Sequence, residues 1–107
     1  MRVEIATATE NQLDWMMAAV IGVPLDNGLT DDERYTTNWE QCGPLLAQYN
    51  IGIMPQIGTP KRPRRCAYRV LDAAKYYSYG DTLQIAIVRC IVTGRFGSYG
   101  EVPDGLA

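Results

Sequence analysis

Histidine is missing from this chain altogether. That removes Ser-His-Asp and Cys-His catalysis, since both need an imidazole to take a proton and return it. Cysteine is sparse: Cys42, Cys66 and Cys90 are widely spaced, odd in number and form no CxxC pair. The pattern argues against a disulfide scaffold and an ordinary zinc site. Three reduced thiols are expected, with Cys90 at least in the core. Long apolar runs are lacking as well. The most apolar stretch, residues 81–97, is too short and too interrupted for a membrane span, which needs about 20 apolar residues. No apolar run follows Met1-Arg2-Val3-Glu4, so a signal peptide is not expected and the chain reads as soluble and intracellular.

What remains can still do chemistry, but with few tools. An enzyme built from these residues would depend on carboxylates, Lys or Tyr. Asp14, Glu40 and Asp72 are the carboxylates a hydrolase would use, yet nothing in their spacing requires one. The expectation is a non-enzymatic protein with no cofactor and no metal.

With 107 residues, 47% of them hydrophobic, the chain suits one domain with one core. A single domain over 1–107 is expected, ending in a flexible tail at 98–107, where Pro103 and two glycines fall. The net charge of −2 is unevenly placed. Residues 1–60 sum to −6 and residues 61–107 to +4. Such asymmetry points to a basic face for an anionic partner, or to self-association of an acidic face with a basic one.

Residues 81–95 organise the rest. Asp81 and Gln84 make a capping-box pattern. Leu83, Ile87 and Ile91, with Ala86 and Cys90, form one apolar face at helical steps, and Ile85, Val88 and Val92 make the opposite face apolar too. A strand is the competing reading, because Ile and Val are β-branched. The spacing elsewhere predicts a short strand at 2–6 and a helix at about 9–21, capped by Thr9 with Gln12 and stopped by Gly22 and Pro24. Trp15 lies partly off that helix's apolar stripe, as a core-edge aromatic or a stacking platform. Asn38 would cap a short helical piece, and Pro44 would begin the regular helix, leaving free N–H groups near Cys42 and Gly43 for an anion. Residues 51–71 read as a β-hairpin whose connection carries Lys61, Arg62, Arg64 and Arg65; residues 72–80 read as strand end and tyrosine-rich loop. The expected fold is therefore α+β: a small antiparallel sheet, the hairpin at about 51–71, packed with two or three helices including the central apolar one.

Three stretches carry a resemblance to a known family. They are Leu13-Asp14-Trp15 with Ala18-Ala19-Val20-Ile21-Gly22; Tyr35-Thr36-Thr37-Asn38-Trp39-Glu40-Gln41-Cys42-Gly43-Pro44-Leu45-Leu46; and Tyr79-Gly80-Asp81 through Phe96-Gly97. In this order the chain resembles the NinX-like family of small tailed-phage proteins, whose molecular role is not established. The second stretch is similar to the family's aromatic–Thr-Asp-Trp–Gln-Gly-Gly-Pro signature, with Asn38 where the family has an acid and Cys42 where it has the first glycine. The resemblance implies a phage accessory protein acting in the cytoplasm of an infected bacterium.

Two binding roles follow. In the first, a small anionic ligand, such as a nucleotide immune signal held to counter host defence, sits at Tyr35, Thr37, Asn38, Trp39, Gln41 and Gly43. Trp39 or Tyr35 would stack a base, and Arg89 or the 62–65 arginines would hold phosphate. The competing view of this signature is a pinned structural loop. In the second role, Lys61, Arg62, Arg64 and Arg65 contact nucleic acid or a protein partner. The apolar second face of the central helix further predicts a homo-oligomer, most simply a dimer, with Val88→Glu giving a monomer or an unfolded chain and losing ligand. A monomer in which the tyrosine segment covers that face is the alternative.

Overall fold

The computed structural model describes residues 1–59, 62–71 and 73–107. Its elements in chain order are β1 (Arg2–Glu4), a 3-10 turn (Ile5–Thr7), α1 (Glu10–Ile21), a second 3-10 turn (Asp31–Glu33), α2 (Trp39–Gln48), β2 (Ile51–Thr59), β3 (Arg62–Leu71), β4 (Ala74–Gly80), α3 (Leu83–Phe96) and β5 (Tyr99–Glu101). β2, β3 and β4 form a three-stranded antiparallel sheet in that order, and β1 pairs with β5 in a second, two-stranded one. The fold is the small α+β arrangement expected. Among the described residues, no helix is long and apolar enough to cross a membrane.

α1 forms where its caps dictate. Thr9 accepts from the Gln12 N–H while the Gln12 side chain accepts from the Thr9 N–H, which satisfies two free donors of the first turn. Gly22, at φ 92°, ends the helix and donates to Ala18 O at 2.9 Å. Leu13, Met16 and Met17 enter the core from it.

α2 departs from expectation. It begins at Trp39, not Pro44, and carries Pro44 inside. A proline interior to a helix lacks an N–H and normally clashes with what precedes it. The residue before it here is Gly43, which has no Cβ for the proline ring to strike. The start is fixed by Asn38, whose Oδ1 accepts from Glu40 N at 2.9 Å. Gly43 therefore lies in the second turn, past the free N–H groups of the helix start.

The sheet also has one more strand than the hairpin reading allowed. Residues 74–80 run antiparallel to β3, with Tyr68 opposite Tyr77 and Cys66 opposite Tyr79. In β2 the register shifts between Met54 and Ile57. Pro55 cannot donate to a ladder, and an edge-strand irregularity is where a proline is tolerated.

α3 is the centre of the core, as its composition suggests. It starts at Leu83, with Thr82 rather than Asp81 as its cap: Thr82 Oγ1 accepts from Ile85 N at 3.2 Å. It packs against β3, β4, α1 and α2. Ile85, Ala86, Ile87 and Val88 are all buried. Four successive residues sweep most of a helix circumference, so the chain itself covers this helix on every side. The face of Ile85, Val88 and Val92 is thus internal, and the premise that it needed a second copy for cover is corrected. Gly80 marks how closely β4 approaches: a Cβ there would stand 2.8 Å from the Ala86 backbone nitrogen.

The segment 98–107 is not a loose tail. β5 pairs Gly100 with Val3, and Val102 is buried and donates its N–H to Met1 O at 2.9 Å. Gln12 Nε2 donates to Leu106 O at 2.9 Å. Pro103 and the glycines suggested a tail, but β1 needs a partner strand. Gly100 supplies one without a side chain, because a Cβ there would meet Met16 Sδ at 2.3 Å.

Candidate functional site

The sequence placed a ligand at residues 35–43 with Arg89 reaching in. Those residues do not converge that way. Tyr35 is buried in the core, where burial raises its phenol pKa, so it offers no face to a ligand. Asn38 spends its side chain on the α2 cap. Gln41 is a staple: its Oε1 accepts from Arg34 N, and its Nε2 donates to Asp31 O at 2.6 Å. A Cβ on Gly43 would meet open space, so no close backbone approach explains that glycine. Thr37 is exposed, and Trp39 stands on the surface at the start of α2 with 46% of its area accessible. The segment behaves as a pinned loop.

A buried carboxylate does much of the pinning. Asp14, on α1, is 1% exposed and accepts from Thr36 N at 2.9 Å. Burial pushes its pKa up to about 6; the Thr36 bond pulls the other way but is weaker. Thr36 Oγ1 is itself buried without a partner among the described residues. The native state thus holds the Asp14 proton more tightly than the unfolded chain, whose ordinary value is 3.8. Stability should fall as pH rises from about 4 through about 6, because the unfolded state then loses its proton more readily. Asp14→Asn keeps an oxygen for Thr36 and removes the titration. Chemical denaturation at both ends of that range should show a wild-type slope of roughly 2–3 kcal/mol that is absent in the variant. Equal slopes in the two proteins would mean that Asp14 does not titrate in this window.

Arg89 lies elsewhere. From α3 it donates through Nε to Ile5 O at 2.9 Å, through Nη2 to Ala8 O at 3.0 Å, and through Nη1 to Tyr79 O. It therefore ties the 3-10 turn and β4 to the central helix, and none of its bonds goes to 35–43. Around it opens a cleft of two adjoining compartments, about 370 and 360 Å³, which share Ala6, Arg64 and Arg89. The first is lined by Tyr77, Tyr79 and Tyr99 with Ser78, Thr93 and the carboxylate residue Glu4. The second is lined by Thr7, Thr9, Glu10 and Asp81. Arg64 stacks on Tyr79, its guanidinium carbon 4.8 Å from the ring centroid.

Of the basic loop, only part bears on this cleft. Arg64 lines it, and Arg65, the next residue of β3, is exposed and turns to the opposite sheet face. Arg62 opens β3 opposite Thr59. Lys61 lies outside the described residues, and so does Asp72.

The electrostatics single out the two arginines. Among the described residues, neither Arg64 nor Arg89 makes an ion pair. Burial lowers the Arg89 pKa, Asp81 raises it, and the like charge of Arg64 lowers it again. The two guanidiniums share the cleft with Glu4, Glu10 and Asp81, and the attraction of Asp81 on Arg89 outweighs the repulsion from Arg64. The cleft's own titratable side chains besides the arginines are Glu4, Glu10, Asp81 and the three tyrosines. Cys42, Cys66 and Cys90 are buried free thiols, and burial pushes Cys42 and Cys90 up to about 11, far from a thiolate at neutral pH. Glu40 is an exposed residue of α2. Among the described residues, no group of His, Cys, Asp or Glu is placed to hold a metal ion.

Sequence reasoning missed the tyrosines. Their signal was present: if 74–80 is a strand, Tyr77 and Tyr79 share one face, and Arg64 and Cys66 lie on the same face of β3. Compared with known proteins, the chain matches no family model and no curated protein.

Proposed function

We propose that this protein is a non-enzymatic accessory factor that binds a small anionic ligand in the Arg64–Arg89 cleft. The observation that carries the reading is the pair of neighbouring guanidiniums with no carboxylate bonded to either among the described residues. A buried or half-buried positive charge is ordinarily paired. Here the hydrogen bonds of Arg89 go only to carbonyl oxygens, with Asp81 acting on it through space, and a guanidinium has five N–H donors of which three are engaged. Two remain for a ligand oxygen. The resemblance to NinX-like phage proteins supplies a setting: a bacterial cytoplasm during infection, where sequestering a nucleotide immune signal would need affinity and no turnover. The binding residues in this reading are Arg64, Arg89, Tyr77 and Tyr79, in place of the 35–43 segment.

A thermal-shift panel of inorganic phosphate and phosphorylated metabolites tests it, since a ligand that binds only the native state must raise the melting temperature. At least one anion should stabilise the wild type, and Arg64→Ala, at an exposed position, should remove that shift while melting normally alone. No shift with any anion, or a shift that survives Arg64→Ala, would reject the reading.

A further inference from the structure

The two compartments differ in chemistry, and the difference narrows the ligand. We infer that the cleft takes a nucleoside phosphate, with its base against Tyr77 in the first compartment and its phosphate at Arg64 and Arg89, where the compartments meet. This rests on the proposed anion site and specifies what fills it.

The first compartment has aromatic walls: Tyr77, 45% exposed, and Tyr99, 46% exposed, are surface rings beside the arginines. Tyr77 stands beside its cross-strand partner Tyr68, ring centroids 6.0 Å apart and planes tilted by 43°. A ring held by a neighbour loses little freedom when a planar base stacks on it, and base–aromatic stacking is tolerant of base identity. Tyr79 and Tyr99 are less available, because Arg64 covers the first and Arg2 the second. The second compartment is the more polar and has two carboxylate residues beside the shared arginines, Glu10 and Asp81, against the single Glu4 of the first. Carboxylates oppose a bare polyanion. They suit a ligand that also carries hydroxyl donors, since an ionised carboxylate only accepts hydrogen bonds. A sugar bearing one phosphate fits that mixture of acceptor and cation; inorganic polyphosphate does not. Each compartment, and the two together, lie within the usual dimensions of a small-molecule site.

Calorimetry with inorganic phosphate, adenosine and adenosine monophosphate on the intact protein separates the parts. The monophosphate should bind at least tenfold more tightly than phosphate and more tightly than adenosine. Tyr77→Ala should weaken the monophosphate by roughly tenfold, the low end of one stacking interaction, and leave phosphate unchanged. Arg64→Ala should weaken both phosphate-bearing ligands. Phosphate binding with no gain from the nucleoside would overturn this inference and leave the anion site standing. Absence of any binding by all three, at millimolar ligand, would remove both. Guanosine and uridine monophosphates should also bind more tightly than phosphate, because stacking tolerates base identity; if neither does, the stacking inference fails.

Discussion

Val88→Glu should not fold. Val88 is fully buried on α3, within the stretch Ile85 to Val92 that meets both sheet and helices. The substitution removes the burial of a valine, about 1.5–3 kcal/mol. It also forces a carboxylate into an apolar interior or forces the structure open, at several kcal/mol more. Domains of this size are stable by roughly 5–15 kcal/mol, so the sum consumes most or all of it. The expected observation is circular dichroism without a cooperative thermal transition. The sequence alone had allowed a second result, a folded monomer released from a dimer. A cooperative melt together with a halved mass by light scattering would restore that assembly view and refute the packing described for α3. Any homo-oligomer of this chain must be built on other surfaces, such as the exposed Tyr76, Val70 and Ile53 of the sheet.

How far the sequence could be read depends on the range of the forces involved. α1 was legible because its caps are local: Thr9, Gln12 and Gly22 act within one turn of their own helix. α3 was legible by composition, though its cap slipped by one residue from Asp81 to Thr82, both of which can accept from a first-turn N–H. β4 and β5 were not, because a strand is defined by its partner. Ala74–Gly80 lacks apolar alternation and is mostly exposed, so only the ladder to β3 makes it a strand. Tyr99–Glu101 is three residues long and depends on β1 in the same way. The continuation of α2 through Pro44 reversed a sound local rule, and the glycine before the proline removes one of the clashes behind that rule.

The 35–43 stretch read as a ligand site for a related reason. Polar residues in a loop-like stretch read as ligand contacts, yet Asn38 and Gln41 are spent on backbone groups nearby, within seven to ten residues for Gln41. Arg89 was expected to reach the 35–43 segment, but its partners lie 81 and 84 residues away at Ala8 and Ile5. No spacing rule reaches that far. The cleft exists only because α3, β4 and the 3-10 turn after β1 are brought together, and the residue that joins them is the same arginine that gives the cleft its charge.

That double role makes Arg89 the most consequential position outside the apolar core. Arg89→Met keeps much of the side-chain volume and removes every donor. Ile5 O retains the Ala8 N–H at 3.3 Å, so its loss is partial. The Tyr79 and Ala8 carbonyls lose a charged donor each, and bonds to charged groups contribute about 1.5–3 kcal/mol apiece. Water can reach part of this half-buried site, and removing a desolvated cation offsets some of the loss. A net destabilisation of about 3 kcal/mol is expected, on the order of 10–20 °C in melting temperature for a domain of this length. Arg89→Lys should fall between the two, because an ammonium on a shorter stem cannot span three carbonyls held in different directions. Thermal and urea melts of the three proteins measure this directly. A variant that melts within about 1 °C of wild type would mean the three carbonyl bonds are not supporting the junction of α3, β4 and the turn. Anion affinity gives the second readout: it should vanish in Arg89→Met at temperatures where that protein is still folded, and persist weakened in Arg89→Lys, since the lysine keeps the charge but loses the fork that grips an oxyanion at two points.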